Sequence, residues 1–179
     1  SCGTIFEKSQ DWKKSLLSAA AHSMLIIEET DPDFNESTVK KSTSKRFKKN
    51  GSEIIQLSHY GYQKKFSAVC SRTIEVGNNG KNFAILDQIY SEKLLSFNIR
   101  IHLNPEIKVS LSLDKKKAIL ILNDQGWIFN FEGNAELLLE PSINVLDNGE
   151  IINTNQIILK GETIEENTQI LWGLRLDAK

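Results

Sequence analysis

From Met24 to the end of the chain, apolar residues tend to return at every second position rather than every third or fourth. That alternation turns one side of an extended chain toward a core and the other toward water, so it predicts strands. Met24-Leu25-Ile26-Ile27 is a short apolar run of the kind a strand buried on both faces carries. Glu53 to Ser58 and Ala68 to Val76 follow. The second of these is closed by Gly77-Asn78-Asn79-Gly80, where Asn and Gly tolerate the positive φ of a tight turn, and Phe83 to Tyr90 returns as its partner. Phe97 to Leu103 alternates until Asn104-Pro105 stops it. Ile107, Val109, Leu111 and Leu113 then share one face, with Lys108, Ser110 and Ser112 on the other. Ala118 to Leu122 and Trp127 to Phe131 flank a turn at Asn123-Asp124-Gln125-Gly126, and Leu137 to Glu140, Asn155 to Lys160 and Thr168 to Leu176 complete the series.

The helical signal is thin. Asp11 to Ala21 contains helix formers and Asp11 suits a cap, but the segment is short, so it reads as a loop with one helical turn. Short strands separated by turns, without helix-length periods between them, predict an all-β fold. The expected form is an antiparallel two-layer β-sandwich of about a dozen strands with at most short helical turns. No internal repeat or linker divides the chain, so residues 1–179 read as a single domain.

Composition adds bounds rather than chemistry. The chain has 179 residues, 40% hydrophobic and 25% charged, enough for a core, and its formal net charge is -1. That balance gives no global attraction to nucleic acid or to an anionic membrane, and neither is expected as a partner. No stretch approaches the ~20 apolar residues that cross a bilayer. The start, Ser1-Cys2-Gly3-Thr4-Ile5-Phe6, has neither a charged leader with an apolar run nor an initiating Met, so the chain is expected to be a piece of something longer. Cys2 and Cys70 are too few for a disulfide framework and lack metal-ligand spacing. Cys70, in an alternating stretch, reads as a small core residue, and a bridge between the two is not expected.

Four local patterns, in order, resemble the heparinase II/III-like family. Ala21-His22-Ser23-Met24-Leu25 is similar to the family's Ala-His-Asn-Thr-Leu segment. Ser58-His59-Tyr60-Gly61-Tyr62, followed by Ser71-Arg72-Thr73, is similar to its His-Asp-Gly-Tyr turn and the basic strand after it. Arg100-Ile101-His102-Leu103-Asn104-Pro105 looks like Arg-Phe-His-Leu-His-Pro. Gly126-Trp127-Ile128-Phe129 leads to Leu139-Glu140-Pro141-Ser142 and then to Thr154-Asn155-Gln156-Ile157-Ile158.

The resemblance implies a C-terminal β-sandwich behind an upstream α/α-toroid of the same protein. It implies a parent that cleaves uronate-containing polysaccharide by β-elimination and is secreted to the periplasm. That reaction removes the proton beside a carboxylate, so it needs a base and a group that neutralises the carboxylate. In the family those groups come from the toroid and from a His-Gly-His-type segment, neither of which this chain contains. No catalytic residue is therefore assigned here, and the chain is expected to support the toroid and line the substrate cleft. The resemblance also implies that His22 helps hold a metal, commonly zinc, together with upstream residues of the parent; the chain departs from the motif at Ser23 and Met24. The alternative is a stand-alone carbohydrate-binding or protein-interaction module. A complete small enzyme is disfavoured by the lack of clustered acids, a nucleophile elbow or a His-rich motif.

The remaining candidates have plain structural readings beside functional ones. His59, beside Gly61, is expected in a structural turn with tyrosine packing, where Gly61 marks a turn or a close backbone approach. His102 shares a face with Arg100 and is expected to be a hydrogen-bonded structural histidine. Lys40, Lys41, Lys45, Arg46, Lys48 and Lys49 put six cations into ten residues and form a candidate surface for an anionic polysaccharide. The other reading is a solvated edge strand and loop, compensated by the preceding Glu28, Glu29, Asp31, Asp33 and Glu36. Trp127 and Trp172 are expected in the core, and Trp12 in an exposed polar loop.

Overall fold

The computed structural model describes residues 1–3, 10–77, 80–164 and 166–177. Among these residues, twelve strands form two antiparallel sheets, as the alternation predicts. The smaller sheet has the order β1 (Leu25–Ile27), β6 (Ser96–His102), β11 (Ile151–Glu162), β10 (Glu136–Val145). The larger runs β2 (Thr43–Lys49), β3 (Ser52–His59), β4 (Val69–Val76), β5 (Asn82–Tyr90), β12 (Asn167–Leu176), β9 (Gln125–Glu132), β8 (Lys117–Leu122), β7 (Lys108–Leu111).

The layers meet through the inward positions of each strand. Leu25, Ile27, Phe97, Ile99, Ile157 and Leu159 of the small sheet belong to one apolar cluster with Ile85, Ile89, Leu120, Phe129, Ile170 and Trp172 of the large one. Fully burying an aliphatic or aromatic side chain contributes about 1.5–3 kcal/mol, so this cluster is the main source of stability. Cys70 lies in it as a small buried residue, and both cysteines are free. Trp172 is buried there and Trp127 packs against it from the edge, as alternation predicts.

Turn chemistry sets the register. Asn123 and Asp124, with φ of 49° and 61°, form a two-residue turn, so β9 already begins at Gln125. Asn50 and Gly51, at 49° and 81°, join β2 to β3 in the same way. Asn78 and Asn79 of the turn expected between β4 and β5 lie outside the described residues, although the two strands pair antiparallel. β10 continues past Glu140 through Pro141 to Val145. Proline is tolerated because β10 is an edge strand and needs no N–H on its open side. The face expected to end at Leu113 stops at Leu111, and Leu113 is fully exposed.

The helical expectation needs two corrections. Gln10–Leu17 is an eight-residue helix, α1, followed by a 3-10 turn at Ala19–Ala21. Its stability comes from packing: Leu16 and Ala21 join Cys2 and Val145 in a second apolar cluster, with Trp12, Ile143 and Ile151 against it. Trp12 is therefore half-buried on a helix rather than exposed in a loop. Glu36–Lys41 forms a second helix, α2, because the Asn35 side chain accepts hydrogen bonds from the Ser37 and Thr38 amides at 3.0 and 3.1 Å. A single-turn helix, α3, covers Gln63–Phe66.

Candidate functional site

β6 alternates strictly. Phe97, Ile99 and Ile101 face the core, which leaves Asn98, Arg100 and His102 on the far face of the small sheet. The His22–Met24 segment runs along the edge of β6 just before β1. The Met24 N–H bonds the His22 carbonyl at 2.9 Å, the residue-i to residue-i+2 pattern of a γ-turn. The His102 amide donates to Ser23 Oγ at 3.0 Å, and the Arg100 amide donates to the Met24 carbonyl at 3.0 Å.

The His102 ring is fully engaged. Its Nε2 lies 2.9 Å from the Ala20 carbonyl, which only accepts, so Nε2 carries the proton. Nδ1 is then the acceptor, 2.9 Å from Ser142 Oγ and 3.4 Å from Cys2 Sγ. Burial lowers its pKa below the ordinary histidine value, opposed by the Ala20 carbonyl. His102 is thus the hydrogen-bonded structural histidine that the sequence predicts. Its partners, 40 to 100 residues away, have no signature in the sequence.

Arg100 is held loosely by comparison. Its guanidinium lies 3.5 Å from Glu29, 3.4 Å from Gln156 and 4.0 Å from Glu140, and its buried Nε has no partner. Glu29 and the preceding Glu28 both have left-handed φ, 47° and 51°, in a tight turn that other residue types fill more readily.

His22 is half-buried and close enough to His102 for its charge to bear on that ring. A zinc site needs three or four converging N, O or S ligands. Among the described residues, no group of three His, Cys, Asp or Glu side chains is placed to hold a metal. The described residues therefore do not by themselves fit a complete zinc site.

A second polar constellation lies between the layers. Arg72 of β4 makes a two-pronged pair with Asp87 of β5, Nε to Oδ1 at 2.6 Å and Nη2 to Oδ2 at 2.9 Å. Trp172 Nε1 donates to Asp87 Oδ2 at 2.8 Å, and Arg72 Nη1 donates to the Ser23 carbonyl at 2.8 Å. Asp87 is 2% exposed and the Arg72 side chain 18%. One signal for this group stands in the sequence: by parity Asp87 shares the inward face of β5 with Ile85 and Ile89, where an acid needs a partner. Nothing local names Arg72 as that partner.

Met24, Leu57, His59, Arg72 and Asp87 contribute to the lining of a cavity of about 150 Å³ beside this pair. His59 packs between Phe34 and Tyr62, at ring distances of 5.4 and 5.7 Å, and its Nδ1 accepts from the Gly61 amide at 3.4 Å. Burial lowers its pKa, and the nearby Arg72 charge lowers it further. The Tyr62 hydroxyl donates to the Thr30 carbonyl at 2.9 Å, and burial raises its pKa. His59 thus ends β3 just before the turn that the sequence predicts around Gly61, with Tyr62 packed against its ring. Gly61 marks a close approach, since a Cβ there would stand 2.6 Å from Pro32 Cβ.

The basic run does not form one patch. Lys40 and Lys41 lie on α2, where Lys40 pairs with Glu36 at 2.6 Å and Lys41 bonds Gln63 at 3.3 Å. Lys45 and Lys49 share one face of β2, while Arg46 and Lys48 lie on the other. Arg46 pairs with Glu53 at 2.8 Å. Every residue of β2 is exposed, and the strand is the edge of the large sheet. Of the preceding acids, Glu36 meets the run, whereas Glu28, Glu29 and Asp31 bond Ser96, Asn98 and Ala19.

Comparison with known proteins places this geometry. No curated protein matches the chain. Among solved structures, the chain is similar to the heparan sulfate lyase HepC from Pedobacter heparinus, with a TM-score of 0.81 at 9% identity, over 98% of this chain and 27% of that one. It is also similar to a heparinase III, with a TM-score of 0.72 at 14% identity, over 94% of this chain and 25% of that one. At such identities the likeness is one of fold, and the chain spans about a quarter of the length of these lyases. The family model for the heparinase II/III-like C-terminal region matches residues 1–173, and the chain therefore belongs to that family as its C-terminal β-sandwich.

Proposed function

We propose that this β-sandwich is the non-catalytic C-terminal part of a polysaccharide lyase, whose parent cleaves an acidic, uronate-containing polysaccharide by β-elimination. In this reading it braces the upstream toroid and forms one wall of the substrate cleft. The observation that carries the reading is coverage: nearly all of this chain superposes on about a quarter of a heparan sulfate lyase. The state of its own proton-handling groups supports it, because His59, His102 and Tyr62 are all tied to backbone groups within the fold. The polysaccharide contact is assigned to the cations of β2, above all Lys45 and Lys49, which share a face.

The test compares this chain with the longer protein on heparan sulfate and other acidic polysaccharides, following the ultraviolet absorbance of the unsaturated product. The chain alone is expected to yield none, and the longer protein to turn over. Turnover by the chain alone would overturn the non-catalytic assignment, and a longer protein inert on every uronate polysaccharide would overturn the lyase assignment. Retention of the chain on immobilised heparin should weaken with salt and with Lys45→Ala/Lys49→Ala. No retention at low salt removes the contact assigned to β2.

A further inference from the structure

A buried ion pair is an inefficient way to stabilise a sandwich. Removing two charges from water offsets most of their attraction, and apolar residues of the same volume fill such a site as well or better. What the Arg72–Asp87 pair does that an apolar pair could not do is hold a further polar group.

That group is the Ser23 carbonyl. The Asp87 carboxylate is filled by three donors, two from Arg72 and one from Trp172, which fixes the guanidinium plane. The remaining arm of Arg72 reaches Ser23 at 2.8 Å. Ser23 is the middle residue of the turn closed by Met24 and His22, and its hydroxyl faces the other way, to the His102 amide at 3.0 Å. The turn is therefore gripped from both layers: β4 holds its carbonyl and β6 holds its hydroxyl. His22 enters the turn on one side, and His102 is tied to it on the other.

We infer that Arg72, Asp87 and Trp172 are positioning residues, a charged bracket on the large sheet that fixes the His22–Met24 turn and, through it, the imidazole patch on the far face of the small sheet. Its meaning for turnover rests on the proposed function, in which that face belongs to the cleft wall. The bracket itself does not depend on that reading.

Amide hydrogen exchange and ring-nitrogen NMR on the 179-residue chain test it. The variants are Arg72→Lys, which keeps the charge but loses the fork, and Asp87→Asn, which keeps the shape. Ile157→Val, a truncation in the apolar cluster, serves as a control that lowers stability without touching the bracket. Relative to the control at matched stability, exchange at the Met24 and His102 amides is expected to quicken by at least about tenfold, since a local opening would bypass global unfolding. The His22 and His102 ring signals should move with it. Trp172→Phe, which keeps the ring and drops one donor, should shift them less and in the same sense. Exchange that rises uniformly through both sheets, or ring signals that stay in place, would overturn the bracket. In the longer protein, Arg72→Lys should lower kcat. If the local effects appear while kcat is unchanged, the cleft-wall reading fails and the bracket stands.

Discussion

Replacing Asp87 with alanine isolates the energetic weight of the interlayer pair. The substitution removes both acceptors of the Arg72 fork and the acceptor of Trp172, leaving an arginine side chain four-fifths out of water with the Ser23 carbonyl as the remaining hydrogen-bond partner of its guanidinium. Breaking a buried pair in this way costs about 3–5 kcal/mol, a large share of the ~5–15 kcal/mol that holds a domain together. With a urea dependence of ~2 kcal/mol per molar, the unfolding midpoint should fall by about 1.5–2.5 M. The double variant Arg72→Met/Asp87→Leu removes both charges and refills the volume. Both variants leave Trp172 Nε1 without its acceptor; the double exchanges the unpaired buried charge for a Ser23 carbonyl without its donor, a deficit of about 1–3 kcal/mol, so it should unfold between the single variant and the parent sequence. Urea denaturation followed by tryptophan fluorescence and, independently, by far-ultraviolet circular dichroism measures all three. A loss below about 1 kcal/mol for Asp87→Ala, or a double variant no more stable than the single one, would refute the reasoning.

Other outcomes follow from the same structure. Burial holds His59 and His102 below the ordinary value of 6.5, so the unfolded chain takes up protons first as the solution is acidified. Stability should therefore fall as the pH drops below about 6.5, and His59→Asn should flatten that slope in urea midpoints measured from about pH 7 to 5. Gly61→Ala forces a methyl against Pro32 and should cost about 1–3 kcal/mol, seen as a Tm lowered by about 3–10 °C. Burial, with the Asp87 charge adding to it, pushes the Cys70 thiol up to about 12, so a disulfide reagent at neutral pH should label Cys70 only as the chain unfolds, and faster in Asp87→Ala. Metal analysis of the chain after equilibration with zinc and gel filtration should give well under one ion per molecule, because His22 lacks converging partners among the described residues.

Much of the fold is written locally. Strand parity in Phe97-Asn98-Ile99-Arg100-Ile101-His102 is enough to place Arg100 and His102 together on one face, and the folded chain keeps them there. Asn50-Gly51 and Asn123-Asp124 are hairpin signals that backbone sterics alone enforce. The first, a finding of the structure, joins β2 to β3 and makes the Lys45 to Lys49 part of the basic run an edge strand. The helices are a different case. The sequence of α2 carries its own cap in Asn35, whereas α1 is too short to persist without the apolar surface that Cys2 and Val145 provide. The acid at an inward position, Asp87, is legible as an anomaly, but its meaning is not.

By itself, then, the sequence determined which residues extend, which face each side chain takes and where the chain reverses, because those choices rest on neighbours one to four positions away. It also carried the family, through four short patterns in a fixed order. Tertiary structure alone decided which distant groups meet: Asp87 with Arg72 and Trp172, His102 with Ala20, Ser142 and Cys2, and the six cations divided over a helix and two faces of an edge strand. Hydrogen bonds and ion pairs act over a few ångströms in space and are indifferent to separation along the chain. A site assembled from residues up to 100 positions apart therefore leaves no local pattern to read.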